Sequence, residues 1–157
     1  MFEIVAGQTR REDVLILFAE YFATLVDAGL AAVLATQNPE AELSDLDSVY
    51  AAPTGGLWLA LHDGAPVGCV AVKRNNDVHG ELKRLYVRPA GRGHGLGSLL
   101  LETAITGARD LGYRRLRLDT APHMTAAIGL YERHGFYRVG AYNDNPAADA
   151  VFMELAL

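Results

Sequence analysis

Between Arg92 and Ser98 the chain reads Arg-Gly-His-Gly-Leu-Gly-Ser. Glycines at 91, 93, 95 and 97 let the backbone come close to a ligand. The free N–H groups that open a following helix point outward at the positive end of its dipole. The chemistry such a run can do is anion binding, and phosphate is the expected guest. No Gly-Lys-Ser/Thr follows, so it is not a P-loop, and the spacing is not G-x-G-x-x-G. A plain structural turn would read the same way.

Two elements must position this run. Before it, residues 81–87 (ELKRLYV) end in β-forming residues and are stopped by Pro89, which cannot extend a ladder. After it, SLLLETAITGARDL carries apolar or small residues at 96, 99, 100, 103, 104, 107, 108 and 111, a helical stripe closed by Gly112. The periodicity predicts a first strand over 2–6, then a helix to Gly29 with Thr9 and Glu12 as a capping box. Residues 30–39 read as a helix end leading into a loop, and 40–50 as one acidic helix. Strands follow over 57–62 and 67–73 about an Asp63-Gly64 hairpin turn. Asn75-Asn76-Asp77 turns the chain into the strand ending at Val87. Later come a strand over 114–119, a short helix over 123–134, and strands over 136–142 and 150–157.

At 157 residues this is one domain, 1–157, large enough for a core. No apolar run approaches a membrane span, and the N-terminus lacks the pattern of a signal peptide. A single cysteine, Cys69, excludes a disulfide framework and fits a reducing, cytoplasmic setting. The net charge of −5 disfavours general nucleic-acid binding. Its distribution is uneven: Asp and Glu dominate residues 1–63, whereas Lys and Arg cluster between Lys73 and Arg117 around the proposed phosphate turn. This is either a pair of solvated faces or an anionic cofactor held by the second half and a cationic substrate drawn to the first. His62, His94, His123 and His134 have no metal-ligand spacing, so no metal is expected.

The run Arg92–Gly97 resembles the Arg/Gln-x-x-Gly-x-Gly/Ala signature of the GNAT superfamily, the acyl-CoA-dependent N-acetyltransferases. It follows Leu85-Tyr86-Val87-Arg88-Pro89, similar to the hydrophobic-x-Val-x-Pro run that precedes the signature in that family. Downstream, Ala127-Ile128-Gly129-Leu130-Tyr131-Glu132-Arg133-His134-Gly135-Phe136 looks like the family's A-I-x-L-Y-E-x-x-G-F segment. Two ordered matches are far more specific than either alone.

The resemblance implies an α/β fold: a mixed, mostly antiparallel sheet of six or seven strands with a central splayed parallel pair, flanked by about four helices. It implies acetyl-CoA as co-substrate. Arg92, Gly93, His94, Gly95, Leu96, Gly97 and Ser98 would hold its pyrophosphate. The main chain of Leu85, Tyr86 and Val87 would bind the pantetheine amides. Tyr131 stands where the family's general acid stands, and a phenol can donate a hydrogen bond at neutral pH. Glu81 matches an acidic position that serves as base in some members; His79 and Asp119 are alternatives. Where many members carry Asn, this chain has Met124 with Thr125 beside it, so backbone groups or Thr125 would take over that contact. Direct acetyl transfer to a primary amine of a small molecule is the leading reading. A protein or peptide acetyltransferase, or an acyl-CoA-binding regulatory module without turnover, are the rivals. Homodimers are common in the family. Tyr142, Asn143 and Asn145 are candidate acceptor contacts.

Overall fold

The computed structural model describes all 157 residues. Seven strands form one sheet: β1 (Phe2–Ala6), β2 (Gly56–His62), β3 (Ala65–Arg74), β4 (His79–Val87), β5 (Arg115–Thr120), β6 (Tyr137–Val139) and β7 (Val151–Ala156). Their order across the sheet is β1-β2-β3-β4-β5-β7-β6. All neighbours are antiparallel except β4 and β5. Six α-helices cover the sheet: α1 (Arg11–Asp27), α2 (Ala31–Ala35), α3 (Pro39–Ser44), α4 (Leu46–Tyr50), α5 (Leu96–Asp110) and α6 (Thr125–Arg133). The mixed sheet and its parallel pair are as expected; the helices are more numerous, because short ones fill residues 31–50.

Two cores lie on opposite faces. One packs Val14, Leu17 and Phe18 of α1 and Leu46 and Tyr50 of α4 on Leu57, Leu59, Cys69 and Ala71. The other packs Leu96, Leu100, Leu101, Ala104 and Ile105 of α5 on Val70, Val72, Leu82 and Leu116. Alternating residues of β2 and β3 therefore feed both cores, as the period of two requires. No helix is long and apolar enough to cross a membrane.

Several local readings are corrected. Thr9 caps no helix: its hydroxyl donates to the Ala6 carbonyl at 3.0 Å within a 3-10 turn, and α1 begins two residues later. The acidic helix over 40–50 is two helices, because Asp45 leaves helical geometry (φ −149°) and accepts the Ser48 N–H as a new N-cap. On α5 the buried stripe includes Leu101 and Ile105, whereas Leu99 is 39 % exposed. The strand expected over 136–142 stops at Val139. The chain then leaves the ladder, and Tyr142, Asn143 and Asn145 bond to side chains of β4 and β5 instead. The Asp63-Gly64 turn forms with both residues at positive φ (50° and 84°), the geometry that suits the twist of a two-residue hairpin.

Candidate active site

The site follows from a defect in the sheet. β4 and β5 pair over only three rungs: His79 with Arg115, Gly80 with Leu116, Glu81 with Arg117. Beyond Glu81 they separate. On β4, Arg84 and Leu85 together oppose Val70 of β3, since the register slips between Cys69–Tyr86 and Ala71–Lys83. Arg84 takes φ 60° to make this bulge. The bulge bends β4 away from β5 and leaves its distal edge without a neighbour.

A cleft of about 500 Å³ fills the gap. Its walls are Leu82 to Val87 of β4 and Leu118 to Ala121 on and just past β5, with α1, α2 and α6 around them. Leu85, Tyr86, Val87, Arg92, Gly97 and Tyr131 all line it. Gly93, His94, Gly95, Leu96 and Ser98 lie in the adjoining turn rather than in the wall. The Leu96 side chain is buried in the core beneath Gly91, and the His94 ring packs on Phe2 with centroids 5.0 Å apart. What these residues offer a ligand is therefore backbone.

That backbone is free. Gly93 and Gly95 take φ 82° and 74°, with open space where a Cβ would stand. The first intrahelical bond of α5 runs from the Leu99 N–H to the Gly95 carbonyl, and no side chain caps the helix. The N–H groups of residues 93–98 thus donate to no backbone carbonyl. Six consecutive donors at a helix N-terminus fit a diphosphate in number and in sign. Arg92 adds a cation and fixes its own side chain by donating from Nε to the Val87 carbonyl at 3.1 Å.

Tyr131 projects from α6 into the cleft and is 8 % exposed. Its ring packs on Phe136, centroids 5.6 Å apart. Burial pushes its phenol well above the ordinary value, with Tyr21 and Asp119 adding to the effect. The group therefore stays protonated and can donate. Tyr21 of α1 also lines the cleft, and its phenol is likewise raised by burial.

The carboxylates are arranged otherwise than their order in the chain suggests. Glu81 is buried and does not line the cleft. Its Oε2 accepts the Tyr142 hydroxyl at 2.6 Å, and its Oε1 lies 3.7 Å from Lys73 and 3.8 Å from Lys83. Asp119 does line the cleft, and its Oδ2 accepts the side-chain amides of Asn143 (3.1 Å) and Asn145 (3.0 Å). The His79 ring sits at the base of the sheet, 3.2 Å from Glu154, outside the cleft. Met124 lines the cleft and accepts the Thr120 hydroxyl at sulfur, 3.6 Å; Thr125 is exposed outside it. Cys69 is fully buried, and burial holds its thiol far above the nucleophilic range.

Sequence reasoning missed one wall of the cleft. Gln37, Lys83 and Arg84 line it, and behind them Glu42 takes Arg84 in two hydrogen bonds of 2.9 Å. Gln37 Oε1 accepts Arg84 Nη1 at 2.6 Å. The signal would have been two adjacent cations, Lys83 and Arg84, in a strand whose neighbours alternate. That both line one opening, although adjacent strand residues ordinarily point to opposite faces, depends on the bulge, which no local pattern announces.

The chain belongs to the acetyltransferase (GNAT) family, whose model matches residues 20–136, and it is an acyltransferase of that family. An uncharacterised N-acetyltransferase of Schizosaccharomyces pombe is 37 % identical over 126 residues, 79 % of this chain and 77 % of that protein. An IAA acetyltransferase of Azospirillum brasilense is 34 % identical over 117 residues, 73 % of this chain and 76 % of that one. In fold, an acetyltransferase from Streptococcus agalactiae superimposes with a TM-score of 0.77 at 24 % identity, over 99 % of this chain and 98 % of its own. A GNAT acetyltransferase from Elizabethkingia anophelis, solved with acetyl-CoA bound, matches 76 % of this chain and 85 % of its own, with a TM-score of 0.61 at 23 % identity.

Proposed function

We propose that residues 1–157 act as one domain that transfers an acetyl group from acetyl-CoA to the primary amine of a small molecule. One observation carries this: six unpaired N–H groups at residues 93–98 stand beside an unpaired β4 edge, and that edge opens on the Tyr131 side chain. The solved relative with acetyl-CoA bound supports the choice of donor. The donor supplies an activated thioester; everything else comes from the chain.

Arg92 and the turn through Ser98 bind the diphosphate. Leu85, Tyr86 and Val87 offer backbone groups to the amides of the pantetheine arm, as an added strand would use them. Transfer forms one C–N bond and breaks one C–S bond. Asp119, the carboxylate in the cleft wall, takes one proton from the acceptor's ammonium, so that a neutral amine attacks, and passes it to solvent; its two asparagine partners hold it in place. Tyr131 gives a proton to the departing sulfur, and the second proton that the nitrogen loses as the tetrahedral intermediate collapses restores the phenol. Glu81 acts one layer back, fixing Tyr142 and so the loop that carries those asparagines.

The test is thiol release from acetyl-CoA with a panel of small amines, amino acids and an unstructured peptide. Small-molecule turnover well above peptide turnover is the expected result. Turnover on the peptide alone would replace the substrate class, and thiol release that no acceptor of the panel stimulates would sink the acetyltransferase reading.

A further inference from the structure

The uneven charge along the chain invites a cationic acceptor, but the fold disposes of that charge. No acid of residues 1–63 lines the cleft. Asp13, Glu20, Glu42, Asp47 and Asp63 are taken by Arg10, Arg88, Arg84, Arg11 and the N-terminal ammonium. The charged groups that do line the cleft are Lys83, Arg84, Arg92 and Asp119. Arg92 belongs to the diphosphate end, and Arg84 is neutralised by Glu42 at two points.

Lys83 is different. Its side chain is 9 % exposed, and its ammonium meets only the Gln37 carbonyl oxygen at 3.4 Å and Glu81 at 3.8 Å. That Glu81 oxygen is shared with Lys73 at 3.7 Å, so one carboxylate faces two ammonium groups. A buried cation with a long, divided partnership is under-compensated. Lys83 and Asp119 also have a fixed relation: each is two residues beyond the last parallel rung, Glu81–Arg117, one on either wall of the opening. An excess positive charge thus faces a carboxylate across the gap. Around them the wall is apolar: Leu25, Ala28, Leu30 and Val33.

Resting on the acetyltransferase reading, we infer that the acceptor is an amino carboxylate with an apolar body. Lys83 holds the carboxylate, Asp119 receives the ammonium, and the α1–α2 wall covers the hydrocarbon. A polyamine has no anion for Lys83 and places a second cation beside it, so the site selects against polyamines as well as for amino carboxylates.

The experiment compares leucine, leucinamide, isopentylamine and spermidine as acceptors by acetyl-CoA-dependent thiol release. Leucine is expected to exceed leucinamide and isopentylamine at least tenfold in kcat/KM, with spermidine poorest. In Lys83→Met the leucine-to-isopentylamine ratio falls toward one, and Lys83→Arg, which keeps the charge, retains most of the preference. Leucinamide or spermidine turned over as well as leucine overturns the amino carboxylate and leaves the acetyltransferase standing. Turnover of none of the four, with acetyl transfer to another amine or to a peptide, overturns the amino carboxylate alone; no acetyl transfer to any amine or peptide overturns both.

Discussion

The Arg84 guanidinium holds the Glu42 carboxylate at two points, Nε on Oε2 and Nη2 on Oε1, each at 2.9 Å. The Tyr50 hydroxyl closes the same carboxylate at 2.7 Å, and the guanidinium lies 4.7 Å from the centre of the Phe22 ring. Arg84 is also the residue that takes φ 60° in the bulge of β4, a conformation that costs an L side chain roughly 1–2 kcal/mol. The pair thus ties the distortion that opens the cleft to α3, which packs beside α1 of the cleft wall. Burial and strain are tolerated here because each charged group has its partners.

Breaking this pair from one side leaves a buried charge alone. Glu42→Ala should lower stability by about 3–5 kcal/mol, read from urea unfolding. The double variant Glu42→Ala/Arg84→Met should lose clearly less than the sum of its parts, because neither charge is left behind. Strict additivity would mean that the two side chains do not act as a unit.

Tyr131→Phe keeps the ring that packs on Phe136 and removes only the proton donor. Turnover should fall on the order of 10²-fold, the scale of one general acid. The acetyl-CoA dissociation constant, by calorimetry, should stay within twofold. Because burial raises the phenol, the acid form persists as pH climbs to and past the ordinary tyrosine value of about 10. The wild-type rate should therefore show no alkaline loss attributable to Tyr131 up to pH 10. A falling limb there that vanishes in the Phe variant would contradict the assignment.

Two glycines of α5 predict opposite signs for one substitution. A Cβ on Gly97 meets only Leu130 at 3.4 Å, so Gly97→Ala should stabilise the helix by about 0.5–1 kcal/mol. It also puts a methyl into the cleft wall, and the KM for acetyl-CoA should rise severalfold. A Cβ on Gly107 meets the Trp58 ring at 2.4 Å, so Gly107→Ala should cost about 1–3 kcal/mol with little change in that KM. Thermal unfolding and donor titration on both variants check the pair of signs together.

What was legible in the sequence and what was not divide by range. The turn at 92–98, the helix after it and the Asp63-Gly64 hairpin declare themselves, because glycine placement and apolar period act over a few residues. Leu99, Leu100 and Leu101 mark the first limit: three adjacent leucines cannot say which flank faces the sheet, and contact with β2–β4 selects Leu101. The break at Asp45 was hidden because its side chain chooses between continuing one helix and capping the next. The cleft wall around Lys83 and Asp119 was out of reach altogether. Lys83, Asp119, Gln37 and Asn145 come from four separate segments, and only the bulge at Arg84 brings them to one opening.

Lys83 supplies a pH test in which its contribution to stability improves while affinity for a carboxylate acceptor weakens. Burial lowers its pKa below the ordinary lysine value, against the smaller pull of Glu81. Between the folded value and the unfolded one near 10.4, the unfolded chain binds more protons, so this group's contribution to stability rises with pH across that window. Its charge is lost over the same window, so the KM for a carboxylate acceptor should climb there, beginning below the range in which an exposed lysine titrates. The difference in urea midpoint between Lys83→Met and wild type should narrow as pH rises, since the penalty for burying the ammonium disappears when the ammonium does. Parallel stability curves together with a flat KM would show that Lys83 keeps its proton throughout and carries no such strain.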